Sequence, residues 1–110
     1  MPQGVAISPD GSTLAIAESG VGPAGLRFVD LATLHQHAVR LPGVFGKPVW
    51  LDATHVAVAG ANADGIIVVD TANGTTKTIA TGSGTWPAAV AAAPDGTLAS
   101  ANDATGTVTI

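Results

Sequence analysis

A repeat of about 42 residues runs through the chain and restricts the folds it can adopt. Ala17, Ala59 and Ala101 are spaced by 42 and 42 residues. At an offset of 85, Pro9-Asp10-Gly11 superposes on Pro94-Asp95-Gly96, so a middle copy is expected about halfway between them. A fixed period of this length is typical of folds in which each repeat is one supersecondary unit. The sequence therefore predicts a series of similar units.

Each copy of the repeat contains short β-branched or aliphatic runs, which are too brief for helices and are bounded by turn residues. Pro-Asp-Gly links the first two runs of the outer copies, because Pro presets φ, Asp bonds the backbone ahead of it and Gly accepts a positive φ. In the middle copy, Asp52-Ala53-Thr54 takes that place. Eleven strands are predicted: Val5–Ser8, Leu14–Ala17, Leu26–Asp30, Ala38–Leu41, Pro48–Leu51, His55–Ala59, Ile66–Asp70, Thr76–Ala80, Ala88–Ala92, Thr97–Ala101 and Thr107–Ile110.

A period of 40 to 45 residues with four strands in each copy is the signature of a β-propeller blade. The predicted fold class is all-β, a β-propeller segment of four-stranded antiparallel blades. Blade 1 is expected at about residues 2–45, blade 2 at about 46–84 and an incomplete blade 3 at about 85–110.

The outer copies resemble YVTN-type β-propeller repeats. The likeness is carried by Val5-Ala6-Ile7-Ser8-Pro9-Asp10-Gly11 with Val29-Asp30, and by Gly84-Thr85-Trp86-Pro87 ahead of Pro94-Asp95-Gly96. It covers nearly the whole chain and departs from the pattern at the middle turn. The resemblance implies a propeller fold, shared by surface-layer proteins, periplasmic binding proteins, lactonase-like enzymes and dehydrogenase subunits. It favours a location outside the cytoplasm.

Propellers close with roughly four to eight blades, and this chain holds two blades and three strands of another. An arc of this kind leaves two apolar blade faces uncovered. We therefore expect a fragment of a longer protein, because such faces need to be covered. The alternative is a homo-oligomer in which copies complete the ring and each lends a strand to its neighbour's unfinished blade.

The composition restricts the partners and the location. Four Lys and Arg against eight acids give a formal charge of −4, so the chain lacks the basic surface that binds nucleic acid. The apolar runs are far shorter than the ~18 residues of a membrane-spanning helix. The absence of cysteine excludes thiolate chemistry and Cys-ligated metals but leaves the compartment open. The first residues show no signal peptide.

Three motifs suggest ligand chemistry, but their contexts argue against it. Gly20–Gly25 matches the dinucleotide fingerprint Gly-x-Gly-x-x-Gly, yet a strand follows it instead of a helix, so we interpret it as a loop. His35 and His37 could provide two metal ligands but lack a third. Gly60–Gly65 lacks the acids that open and close an EF-type calcium loop, and it is also interpreted as a turn.

Six of the eight acids are explained by turns or strand ends, and these are Asp10, Asp30, Asp52, Asp64, Asp70 and Asp95. The other two, Glu18 and Asp103, follow the second strands of the outer copies, and Asn102 is the repeat equivalent of Glu18. In propellers this connection generally lies on the face where ligands bind. We hypothesise that Glu18, Asn102 and Asp103 contribute to a ligand-binding rim, the alternative being ordinary polar loop residues.

The function favoured by these observations is a non-catalytic scaffold or binding module for a small molecule or a protein. The alternative is a propeller enzyme, a lactonase-like hydrolase or a dehydrogenase subunit, whose catalytic residues lie mostly outside this segment. The chain shows no nucleophile, no base with an orienting partner and no metal-ligand set, so no catalytic residue, metal or cofactor is assigned to it.

Overall fold

The computed structural model describes residues 2–19 and 23–110, and their regular structure is almost entirely β. The strands are β1 Pro2–Ile7, β2 Thr13–Glu18, β3 Gly25–Asp30, β4 Gln36–Arg40, β5 Phe45–Trp50, β6 His55–Ala59, β7 Gly65–Asp70, β8 Thr76–Ala80, β9 Pro87–Ala92, β10 Leu98–Asn102 and β11 Thr107–Thr109. A single turn of 3-10 helix at Ala61–Ala63 separates β6 from β7. Each observed strand overlaps one of the strands predicted from sequence.

The strands form three antiparallel sheets in chain order. β1 to β4 form the first sheet, β5 to β8 the second, and β9 to β11 the third. These are β-propeller-like blades of four, four and three strands, and the described residues do not close them into a ring. The predicted all-β fold class is confirmed.

The first strands of two sheets begin earlier than their apolar runs suggest. β1 begins at Pro2 and β5 at Phe45, each three residues before the predicted start. In both strands the register with the following strand shifts near this beginning, between Pro2 and Gly4 and between Phe45 and Val49. The sequence pattern misses these segments because an irregular register interrupts the alternation of apolar and polar residues.

The first strands of the three sheets, β1, β5 and β9, lie next to one another. Glycine permits this close approach. A Cβ atom on Gly4 would lie 2.7 Å from Cα of Lys47, and one on Gly46 would lie 2.7 Å from the carbonyl oxygen of Ala88. Gly46 also has a φ of 77°, which L side chains rarely adopt. The inner edge of the arc is thus packed backbone against backbone.

A continuous apolar core joins the first sheet to the second. Leu26 and Phe28 of β3 are fully buried, as is Ile67 of β7. The Trp50 indole packs edge-on to Phe28 with ring centroids 6.2 Å apart, and its Nε1 donates to the carbonyl oxygen of Ala6 at 3.0 Å. The remaining buried members of the cluster are Ala15, Ala17, Leu41, Val44, Val56, Val58 and Val69.

The second sheet meets the third through smaller and more polar side chains. Ala57 and Ala59 of β6 are fully buried, and Ile66 of β7 is nearly so. On the third sheet, Ser100 and Asn102 are buried at 1% and 3% exposure. The buried groups that the third sheet provides are therefore mainly polar.

Antiparallel pairing places the connections at two ends of the sheets. The turn end holds residues 8–12, 51–54 and 93–97, which join first to second strands, and 31–35 and 71–75, which join third to fourth. The crossover end holds 60–64 and 103–106, which join second to third strands, and 41–44 and 81–86, which join successive sheets. Within the described residues, no helix has the length and hydropathy needed to cross a membrane.

Candidate functional site

Carboxylates at the turn end hold the turns that join first and second strands. In the first sheet, Asp10 Oδ1 accepts hydrogen bonds from Ser8 Oγ at 2.6 Å, from Ser12 Oγ at 2.7 Å and from the Ser12 backbone N–H at 3.0 Å. These donors lower the pKa of Asp10 to about 2. Asp95 plays the same part in the third sheet, where it accepts from the Thr97 backbone N–H at 2.9 Å.

The middle turn uses a histidine in addition to the carboxylate. His55 Nδ1 lies 2.9 Å from Asp52 Oδ1, and its Nε2 lies 3.4 Å from Asp70 Oδ2. The hydrogen bond to Asp52 raises the pKa of His55, and the charge of Asp70 adds to it. Backbone donation from Thr54 and the His55 side chain lower the pKa of Asp52 to about 2. This cluster replaces the lost Pro-Asp-Gly turn with an imidazole held between two carboxylates.

The turns between third and fourth strands follow the same rule. Asp30 accepts from the backbone N–H groups of Ala32 and Thr33 at 2.9 and 3.1 Å. Asp70 accepts from Ala72 N–H at 2.9 Å. The structural roles predicted for the acids at the turn end are confirmed, and every one of these carboxylates has a backbone donor.

Asp64, at the crossover end, does more than stabilise its own turn. Its two carboxylate oxygens accept from the backbone N–H groups of Gly84, at 2.8 Å, and Trp86, at 3.1 Å. Its carbonyl oxygen accepts from Thr81 N–H at 3.0 Å. The donors Gly84 and Trp86 lower the pKa of the carboxyl. Asp64 therefore fixes the segment that carries the chain from the second sheet to the third.

Trp86 is held in a left-handed backbone conformation with a φ of 49°, which is strained for a bulky L residue. Asp64 binds its N–H, and its carbonyl oxygen accepts from Asp103 N–H at 3.0 Å. Its ring lies 5.3 Å from that of Phe45, tilted by 59°. Trp86 is half-buried and Phe45 is 38% exposed. The two rings form a partly solvent-facing aromatic pair, which we call the crossover pair.

Glu18 lies in the first sheet, whereas the other two residues of the predicted rim, Asn102 and Asp103, lie in or next to the third sheet. Glu18 is the last residue of β2 and accepts from Arg27 Nε at 3.0 Å. It lines a cleft of about 240 Å³ on the first sheet, together with Arg27 and Arg40. Asn102 and Asp103 line a separate cleft of about 320 Å³ on the third sheet. The rim hypothesis stays a prediction, and in the described part of the chain these two clefts do not bring Glu18 together with Asn102 and Asp103.

Asn102 and Asp103 are adjacent in sequence and opposite in environment. The Asn102 side chain accepts from Ser100 Oγ at 2.9 Å and donates to the hydroxyls of Thr107 and Thr109 at 3.1 and 2.8 Å. Its amide is thereby fully engaged within the third sheet. Asp103 is exposed, and its backbone N–H donates to the carbonyl oxygen of Trp86. Of the two, Asp103 is the one whose side chain is open to a ligand.

The motifs judged weak from sequence have ordinary structural settings. Gly60–Gly65 is a turn around the 3-10 segment, as predicted. His37 lies in β4 with its ring 5.3 Å from that of Phe28, while His35 lies in an exposed turn. Part of Gly20–Gly25 lies outside the described residues, so that interpretation stays a prediction. Across residues 2–19 and 23–110, no three His, Asp or Glu side chains are grouped to hold a metal.

Sequence reasoning missed the crossover pair and the role of Asp64. Asp64 precedes a glycine, which explained it as a turn residue, but its partners lie 20 and 22 residues further along the chain. A signal was available in Gly84-Thr85-Trp86-Pro87, since glycines and a proline around a tryptophan indicate a constrained loop. No known protein family matches the chain, and no curated protein matches it in sequence.

Proposed function

We propose that the chain is a non-catalytic β-propeller-type binding module whose ligand meets the crossover pair, Phe45 and Trp86. The observation that carries this proposal is the φ of 49° at Trp86. A strained residue persists only where its surroundings over-determine it, and such residues concentrate at binding sites. The strain is maintained by Asp64 on one side of Trp86 and by the backbone of Asp103 on the other.

The chemistry of this end favours a ligand with a ring or a cationic group. Partly exposed aromatic faces bind apolar rings by stacking and cations through the ring quadrupole. Asp103, whose backbone N–H donates to the carbonyl oxygen of Trp86, adds an exposed carboxylate to the crossover end, and the chain carries a net charge of −4. Anionic ligands are disfavoured on both counts. The predicted rim residue Asp103 thus belongs to the proposed site.

A catalytic role has less support. His55 with Asp52 and Asp70 is an arrangement of an imidazole and carboxylates, but it lies at the turn end, away from the crossover pair. Both ring nitrogens face carboxylates, and Asp52 also accepts backbone N–H groups of its own turn. The cluster therefore favours a charged, fixed imidazole, which is a poor general base.

A stability measurement tests whether Trp86 serves ligand binding rather than packing of the fold. We expect Trp86→Gly to lower the free energy of unfolding by about 1 kcal/mol or less, because relief of the left-handed strain offsets most of the contact that the half-buried ring makes with Phe45. Trp50→Ala is the matched control and should cost about 3 kcal/mol, since Trp50 packs in the first interface. A loss in Trp86→Gly as large as in Trp50→Ala would assign Trp86 to packing instead.

A binding measurement tests the site itself. In Trp50→Phe the single remaining tryptophan is Trp86, so its emission reports on the crossover end. We expect neutral oligosaccharides, aromatic amines or short cationic peptides to change this emission, and Phe45→Ala and Asp103→Ala to weaken that response. Leu34→Ala, at an exposed turn, should leave it intact. Calorimetric binding of one of these probes with no change in Trp86 emission would contradict the proposal.

A further inference from the structure

The second strand of every sheet alternates a larger residue with alanine. The pattern repeats with a spacing of 42 residues in both steps. Because neighbouring residues of a strand point to opposite faces, each sheet has one face of larger residues and one of alanines at this strand. The residues are Leu14, Ala15, Ile16 and Ala17 in β2; Val56, Ala57, Val58 and Ala59 in β6; and Leu98, Ala99, Ser100 and Ala101 in β10.

Both internal interfaces join an alanine face to a face of larger residues. In the first interface, Ala15 and Ala17 are buried in the same cluster as Val56 and Val58. In the second, Ala57 and Ala59 are fully buried on the other side of the second sheet, and Ser100 is buried on the third. The sheets are therefore stacked with one polarity. The alanine face of each sheet packs against the face of larger residues of the next sheet along the chain.

Among residues 2–19 and 23–110, the first and third sheets each have an outer face on which no other sheet packs, one face of each kind. The first sheet ends in what we call the ridge face, Val5, Ile7, Leu14 and Ile16, where Val5 and Ile7 are 51% and 59% exposed. The third sheet ends in the alanine face, Ala89, Ala91, Ala99 and Ala101. Val108 lies opposite Ala101 and is 68% exposed.

Charged residues accompany these two faces at the same end of the sheets. At the crossover end of the ridge face, Arg27 is paired with Glu18, and Arg40 is exposed beside them. At the crossover end of the alanine face, Asp103 is exposed. Two arginines against one glutamate leave the ridge face positive at this end, and the alanine face is negative.

We propose that the alanine face of one chain binds the ridge face of a second copy, head to tail, by the same alternation that joins the sheets within one chain. The apolar residues of the ridge face then pack over alanines, as Val56 and Val58 do over Ala15 and Ala17. Asp103 of one chain and Arg40 of the next lie at the same end of this contact. The predicted rim residues Glu18 and Asp103, which occupy separate clefts in one chain, would flank one contact between two chains.

The oligomeric state of the 110-residue chain tests this proposal. We expect sedimentation velocity to show species at multiples of 10.7 kDa that grow with concentration. Ala101→Arg on the alanine face and Ile7→Glu on the ridge face should each give a monomer, because each places a charge in the apolar contact. Leu34→Glu, at a turn outside both faces, should associate like the parent chain. Circular dichroism confirms that each variant retains its β structure.

Mixing the two monomeric variants identifies the head-to-tail geometry. The Ala101→Arg chain retains a ridge face and the Ile7→Glu chain retains an alanine face. An equal mixture should therefore form a one-to-one dimer and no larger species, because the remaining two faces are blocked. In the same way, Asp103→Arg should weaken association, and adding Arg40→Asp to that chain should restore it.

Three results would overturn the proposal. A parent chain that stays monomeric at all concentrations would show that the faces do not bind a second copy. Single variants that still associate would place the contact elsewhere. A mixture that remains monomeric would show that the alanine face of one copy does not bind the ridge face of another. Proposed ligand binding at the crossover pair is read from Trp86 emission in a monomeric chain that carries both Ile7→Glu and Trp50→Phe, so it stands or fails separately.

Discussion

The two interfaces inside the chain join equivalent strands of the repeat with different chemistry. Between the first and second sheets, the buried side chains are large and apolar, with Phe28 and Leu26 at their centre. Between the second and third sheets, the third sheet provides Ser100 and Asn102, and Asp64 binds the connecting segment. Apolar burial supplies most folding free energy, whereas a hydrogen bond contributes little net stability but fixes a geometry. The first interface therefore provides most of the folding free energy, and the second fixes the geometry of the third sheet and of the segment that leads into it.

This difference predicts where the molecule opens first. Regions with few buried apolar contacts exchange their amide hydrogens through local opening, at a lower free energy than the core. We expect the amides of β9 and β10 to exchange faster than those of β3 and β7. The crossover pair and the exposed Asp103 lie at the boundary with this less stable part, where adjustment to a ligand costs least.

The largest expected effect comes from breaking the apolar interface. Phe28→Ala should lower the free energy of unfolding by about 4 kcal/mol, because a fully buried aromatic ring is lost and a cavity remains. Phe45→Ala is the matched control at a ring that is 38% exposed, and its cost should be smaller by about 2 kcal/mol or more. Denaturant unfolding measures both. Equal losses would show that the first interface does not provide most of the folding free energy.

A smaller effect is expected from the polar interface. Asn102→Ala should cost about 2 kcal/mol, because it leaves the hydroxyls of Ser100, Thr107 and Thr109 without their amide partner. Asn73→Ala, at an exposed turn, is the control and should cost less than about 0.5 kcal/mol. We expect faster exchange in β10 and β11 only. Faster exchange spreading equally to β3 would mean that the two interfaces open as one unit.

The fold was accessible from sequence because its determinants are local and repeated. The alternation in Leu14–Ala17 and the turn at Pro9-Asp10-Gly11 each specify their conformation within a few residues, so strand number and sheet order followed from them. The irregular beginnings of β1 and β5 did not follow, since their pairing depends on close packing of the inner strands.

The candidate site was only partly accessible, because its contacts join distant parts of the chain. Asp103 was selected from its place in the repeat, and its exposure agrees with a binding role that is still untested. Asn102 was selected by the same argument, but its side chain is used within the third sheet. Trp86 depends on Asp64, 22 residues earlier, and no local pattern connects the two.

Two single-tryptophan proteins allow the interfaces to be followed separately under acid. Trp86→Phe leaves Trp50, which lies in the first interface, as the only tryptophan. Trp50→Phe leaves Trp86, which follows the segment that leads into the third sheet. Asp64 has a pKa below the ordinary 3.8 because Gly84 and Trp86 donate to its charged form. Its stabilising contribution is complete above 3.8 and is lost as the pH falls through the lower pKa of the folded protein.

We therefore expect the smallest effect, a change in Trp86 emission, to begin as the pH falls below 3.8 and before Trp50 emission responds. The pKa values of Asp10, Asp30, Asp52 and Asp95 are also lowered, to about 2 for Asp10 and Asp52, and protonation of these carboxyls weakens the turns of all three sheets. Asp64→Asn in the Trp50→Phe protein removes the titrating group, so its Trp86 emission should stay constant over the first part of this range. Simultaneous responses of the two tryptophans would show one cooperative unit, in which polar and apolar interfaces cannot be separated.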